Sequence, residues 1–108
     1  MLGFIYLILE VDANGNERYK IGFTKNDPEK KLKSLQTGNS NNLTLLKKFK
    51  SKNYQILEKW LHGKFFNQKT EAENEWFTLT NEQVMSFEAI CQDYEKIIET
   101  YNQNKSKI

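Results

Sequence analysis

Glu58 and His62 stand four positions apart, a spacing that puts two side chains on one face of a helix, a turn from each other. With an advance of about 100° per residue, Glu58 falls beside the apolar face formed by Tyr54, Leu57, Leu61 and Phe65. Its carboxylate is therefore expected to be partly buried, and a buried charge needs a partner. A hard cation such as Mg²⁺ (or Mn²⁺) would serve, keeping most of its waters where a single carboxylate is offered. A lysine or a helix neighbour would serve a surface glutamate as well. His62 could donate to a leaving oxygen or orient a nucleophilic water; the other reading of a lone histidine near an apolar face is a structural residue with its hydrogen bonds satisfied.

The rest of the composition narrows the chemistry. His62 is the only histidine and Cys91 the only cysteine, which excludes two-histidine chemistry, an internal disulfide and a multi-cysteine zinc site. Cys91 lies among Ile90, Tyr94 and Ile97 and reads as a buried filler. The net charge of +2 hides a division: residues 1–69 hold 13 of the 16 Lys/Arg and 6 of the 14 Asp/Glu, whereas residues 70–108 hold 3 and 8. The basic part is where an anionic partner would land, and the acidic C-terminal helix is where a protein partner would. Nothing approaches the roughly 20 apolar residues of a membrane span, and Leu2 to Leu9 lacks the basic start and cleavage site of a signal peptide. The expectation is a soluble, intracellular single domain over residues 1–101 with a polar tail over 102–108.

Several elements must position these residues. Gly3 to Val11 reads as a central strand, apolar on both faces, and Asp12 to Asn16 supplies the turn residues of a hairpin. Arg18 to Thr24 resumes an extended pattern, with Tyr19, Ile21 and Phe23 on one face and Arg18, Lys20 and Gly22 on the other. Asp27-Pro28-Glu29 starts a short helix buried along Leu32 and Leu35 and stopped at Gly38. Leu43 to Phe49 is a third strand, and Asn53 to about Phe66 a second helix. Glu75 to Leu79 is a short extended piece, and the capping box Thr80 to Gln83 opens a third helix whose stripe runs from Val84 to Tyr101. The predicted fold is α/β (α+β): a small, three-stranded, largely antiparallel sheet flanked by helices, the last packed across it.

Gly3-Phe4-Ile5-Tyr6 followed by Tyr19-Lys20-Ile21-Gly22 resembles the paired strand motifs of the GIY-YIG nucleases. The helix at Asp27-Pro28-Glu29-Lys30-Lys31-Leu32, the Glu58-x-x-Leu61-His62 segment and Glu75-Trp76-Phe77 continue the match in order, over residues 3 to about 79. The ending resembles the short phage-associated branch related to the meiotically up-regulated gene type. The resemblance implies a metal-dependent endonuclease that breaks phosphodiester bonds in DNA, with Tyr6, Lys20, Gly22, Lys31, Glu58 and His62 on one rim of the sheet. Glu58 would hold the metal, and Tyr6 would line the site and help to deprotonate water. Gly22 would leave room beside the substrate, and Lys30 and Lys33 would contact phosphate at most non-specifically. Two positions depart from the pattern. Lys20 stands where the family has its second tyrosine, as in the short branch, while alternation sends Tyr19 to the apolar face. Lys31 replaces an arginine, which keeps the charge but loses the bidentate grip on phosphate. A degenerate domain that binds nucleic acid or a protein without cutting is the alternative. Trp76 and Phe77 would pack at the sheet end or stack on a base.

Overall fold

Nine residues dense in β-branched and aromatic side chains, Gly3–Val11, form β1 at the centre of the sheet. The computed structural model describes residues 1–70 and 75–106. Strand β2 (Glu17–Thr24) and strand β3 (Asn42–Ser51) pair with β1 on either side, both antiparallel. The turn between β1 and β2 is closed by Asp12, whose Oδ1 accepts from the backbone N–H groups of Asn14 and Asn16 at 2.9 Å each. Gly15 supplies the left-handed conformation the turn requires, at φ 82°.

The sheet has four strands rather than the three expected, in the order β3-β1-β2-β4. The fourth, β4, is only Trp76–Phe77, paired antiparallel with Tyr19 and Lys20 of β2. Its other side is held by Thr70, whose N–H donates to Trp76 O at 2.9 Å, and by Thr78, whose N–H donates to Gln68 O at 2.8 Å. Two residues carry no alternation from which pairing could be read, so the sequence showed an extended piece and not a strand.

Helix α1 (Pro28–Thr37) begins at Asp27, whose side chain accepts from Glu29 N at 3.1 Å, with Pro28 at the first helical position. Helix α2 spans Tyr54–Lys64 and is followed by a 3₁₀ turn at Phe66–Gln68. Helix α3 (Asn81–Ser106) opens with a reciprocal capping box: Thr80 Oγ1 accepts from Gln83 N, and Gln83 Oε1 accepts from Thr80 N. The helix runs on to Ser106, so the expected polar tail is helical from 102 to there; Asn102 to Ser106 contain no Gly or Pro to stop it, and residues 107–108 lie outside the described residues.

The two faces of the sheet carry separate cores. Ile5, Leu7, Tyr19 and Ile21 pack with Tyr54, Leu57 and Leu61 of α2 and with Phe87, Cys91 and Ile98 of α3. Tyr6, Ile8, Leu43 and Trp76 pack on the opposite face, against Leu32 and Leu35 of α1. Alternation therefore divides β2 as expected, with Tyr19 in one core and Lys20 on the α1 face. Cys91 is fully buried, and burial pushes its thiol up to about 12, as befits an unreactive filler. Among the described residues, no helix is long and apolar enough to cross a membrane.

One buried charge braces the hairpin. Glu10 accepts from Arg18 through Nε and Nη2 and from Asn39 Nδ2 at 2.7 Å, and the Arg18 bond holds its carboxyl below the usual range. A depressed carboxylate stabilises the fold fully above its unfolded value, near 4.5, and that contribution is lost as pH falls through the folded value. Glu10→Gln is expected to cost about 1–3 kcal/mol at neutral pH and to flatten the acid limb of stability. Denaturant melts across the acid range test this; parallel curves for the two proteins would refute it.

Candidate functional site

The register of β1 on β2 sets Tyr6 directly opposite Gly22. A Cβ at position 22 would stand 2.6 Å from Tyr6 Cζ and nearer still to its Oη. The tyrosine ring thus lies over a bare stretch of β2 and carries its hydroxyl toward that strand's outer edge. The space beside Gly22, expected to admit substrate, is filled by Tyr6.

At the outer edge β4 covers only Tyr19 and Lys20. Beyond it, Ile21 N–H donates to Glu75 O at 3.1 Å, and Ile21 C=O accepts from His62 Nε2 at 2.8 Å. Backbone donors and acceptors of a strand lie in the plane of its sheet, so both partners stand at the sheet edge. Helix α2 packs on the far face through Leu57 and Leu61, and Glu58 and His62, which flank that apolar stripe, project past the edge of β2. The His62 ring meets Phe77 edge-on at 5.0 Å, which fixes its plane. A carbonyl can only accept, so Nε2 carries the hydrogen of this bond.

Glu58, His62 and Glu75 each offer a ligand atom, and these atoms lie within 4.8 Å of one another. Ligands on opposite sides of an ion with bonds of about 2.1 Å are about 4.2 Å apart, so a divalent cation would fit after the three close in slightly. The donor set supports that fit, because Glu58 Oε2 is buried with no hydrogen-bond partner. Burial raises the pKa of Glu58; His62 opposes the rise, Glu75 adds to it and Lys20 opposes it. Lys20 Nζ donates to Glu75 Oε2 at 2.9 Å and lies 5.3 Å from the centre of the Trp76 ring. Tyr6 is pushed well above its ordinary value, by burial first and then by Glu75 and Glu58. Burial and two neighbouring carboxylates thus disfavour the phenolate of Tyr6 in the metal-free protein.

The structure therefore gathers Tyr6, Lys20, Gly22, Glu58 and His62 at one edge, with Glu75 beside them. The α1 lysines are arranged differently. Lys30 and Lys33 are exposed, and Lys31 is half-buried beside Leu32 with no ion-pair partner among the described residues. Trp76 and Phe77 are buried, Trp76 under the Arg18 guanidinium at 4.2 Å, so neither ring has a face open to a base. Glu75 is the residue that sequence reasoning did not place in the site. The signal was its position just before the Trp76-Phe77 pair, but its proximity to Glu58 depends on which strand that pair joins.

By class this is an α+β domain in which a histidine and two carboxylates converge beside a buried lysine. The chain belongs to the T5orf172 domain family, which matches residues 3–98 and is associated with phage endonuclease-type proteins. No curated protein and no solved structure matches it.

The Tyr6 and Gly22 contact makes a direct prediction. Tyr6 is 2 % exposed and cannot swing clear without repacking, so Gly22→Ala should cost about 1–3 kcal/mol in denaturant unfolding. Undiminished stability would show that the ring does not lie over position 22.

Proposed function

We propose that this domain is a divalent-metal-dependent endonuclease of GIY-YIG type that hydrolyses phosphodiester bonds in DNA. The observation that carries the reading is the orphaned, buried Glu58 Oε2 within a three-ligand cluster that also faces Lys20 and the Tyr6 hydroxyl. Family membership supports a nuclease-like or nucleic-acid-binding role at a coarser level.

Hydrolysis forms a bond from a water oxygen to phosphorus, breaks the bond to the leaving oxygen, and returns a proton to that oxygen. When bound, Mg²⁺ or Mn²⁺ supplies positive charge to a phosphate oxygen and to the leaving oxygen. Glu58, Glu75 and His62 would hold it, with the hydrogen bond from His62 Nε2 to Ile21 O fixing the tautomer that presents Nδ1. Lys20 brings a fixed cation to a second phosphate oxygen. Its ammonium pairs with Glu75, which sets the positive charge beside the carboxylates that would hold the metal. The Tyr6 hydroxyl donates to an oxygen of the reacting group and restrains its orientation.

A second reading, a domain that binds nucleic acid without cutting, is favoured by one observation. The chain's single arginine, Arg18, is engaged with Glu10 and Trp76, and α1 offers Lys31 where an arginine would grip phosphate in two places. A protein partner on the acidic face of α3 belongs with this reading.

Nicking of supercoiled plasmid with Mg²⁺ or Mn²⁺ separates the two. Glu58→Ala and Glu75→Gln should each lower the rate by about 10²-fold or more, and Lys31→Arg should raise it. Full-rate nicking by Glu58→Ala would remove the site assignment, and nicking by Lys31→Arg alone would establish the non-cutting reading for the natural chain.

A further inference from the structure

Cross-strand register sets residues of the α1 face in rows. One row runs Lys48, Tyr6, Gly22; the next runs Lys50, Phe4, Thr24. Residues directly opposite each other share a face, so Lys48, Lys50 and Phe4 stand on the side of the sheet that carries Tyr6. With strands about 4.8 Å apart, Lys48 lies only about 10 Å from Gly22 across the sheet, in line with the carboxylate cluster at the far edge.

Helix α1 packs its Leu32 and Leu35 with the cluster of Tyr6, Ile8, Leu43 and Trp76, and its first turn sets Glu29 beside Lys48. Phe4 is half-buried yet belongs to neither core. Lys48 and Lys50 are exposed, and the ion pair of Lys48 with Glu29, at 3.7 Å between well-exposed side chains, is weak in water and exchangeable for a phosphate. Two exposed cations at alternate positions of one strand, with a half-buried aromatic ring directly opposite Lys50 in the row next to that of Gly22, fit a polyanion with flat bases.

We propose that Phe4, Lys48 and Lys50 form a track for the substrate strand. The lysines contact successive phosphates leading to the Gly22 row, and Phe4 stacks on a base that is unpaired at that point. The proposal rests on the nuclease reading for what happens at the end of the row, but binding along the track needs neither metal nor cleavage. The occupant is a nucleic-acid strand with unpaired bases, and duplex of the same length binds less tightly.

The test is fluorescence anisotropy of a labelled single-stranded oligonucleotide in EDTA, titrated at several salt concentrations, with the same strand annealed as duplex. Lys48→Gln/Lys50→Gln should weaken binding about 10-fold or more at low salt and reduce the salt slope by about 1.4, the share of two phosphate contacts on a single strand. Phe4→Leu should weaken single-strand binding about 5-fold with the slope unchanged, and Phe4→Trp should restore it. Lys96→Gln on α3 is the control and should change neither. Unchanged affinity and slope in the double lysine variant would overturn the track while leaving the cutting site intact. Retained binding by a wild-type protein that never nicks plasmid would overturn the enzyme reading and leave the track. Salt-insensitive or absent binding by the wild type would overturn the track, as would tighter binding to duplex in both wild type and Phe4→Leu.

Discussion

The site depends on the register between β1 and β2, which lays the ring of Tyr6 across the one residue of its row that has no side chain. A slip of a single residue would leave Tyr6 and Lys20 on opposite faces and scatter the group. The turn networks at Asp12 and the Glu10 and Arg18 pair hold that register from the hairpin end. The stretch of β2 beyond β4 then leaves Ile21 with edge groups that Glu75 and His62 satisfy. One strand thus supplies the floor of the site and also the anchor points for residues arriving from two other elements.

Charge in the cluster is arranged as an exchange. Two carboxylates face one buried lysine and one histidine, and one carboxylate oxygen has been taken from water without a protein donor in return. Such an atom is costly unless something fills its place. Lys20 is the internal counterion of Glu75, and the proposed reaction uses that pair as a reserve of positive charge at the phosphate. The T5orf172 match spans residues 3–98, whereas the cluster geometry concerns a few atoms.

Much of the scaffold was legible because it rests on local physics. Alternation separated Tyr19 from Lys20, the helical step placed Glu58 and His62 beside a buried stripe, and the Asp27 and Thr80 caps announced their helices. What was hidden was long-range or below the length at which periodicity exists. Trp76 and Phe77 form a strand only because β2 offers them an edge, and Glu75 joins Glu58 only through that pairing. The crowding of Tyr6 over Gly22 needs the register, which a sequence of alternating residues leaves free by steps of two. The length of α3 was underestimated because a polar stretch without breakers extends a helix as readily as it ends one.

The lysines of β3 have a consequence apart from any ligand. β3 closes one side of the sheet, and among the described residues no strand pairs with its outer rim. Apart from Leu43 N–H, which donates to Gln36 Oε1, the outward amide and carbonyl groups of such a rim are a template on which a second copy could add itself. Lys47, Lys48 and Lys50, with Lys52 just past the strand's end, set like charges against such an arrival. Neutralising them in a laboratory variant would remove that repulsion from the exposed rim.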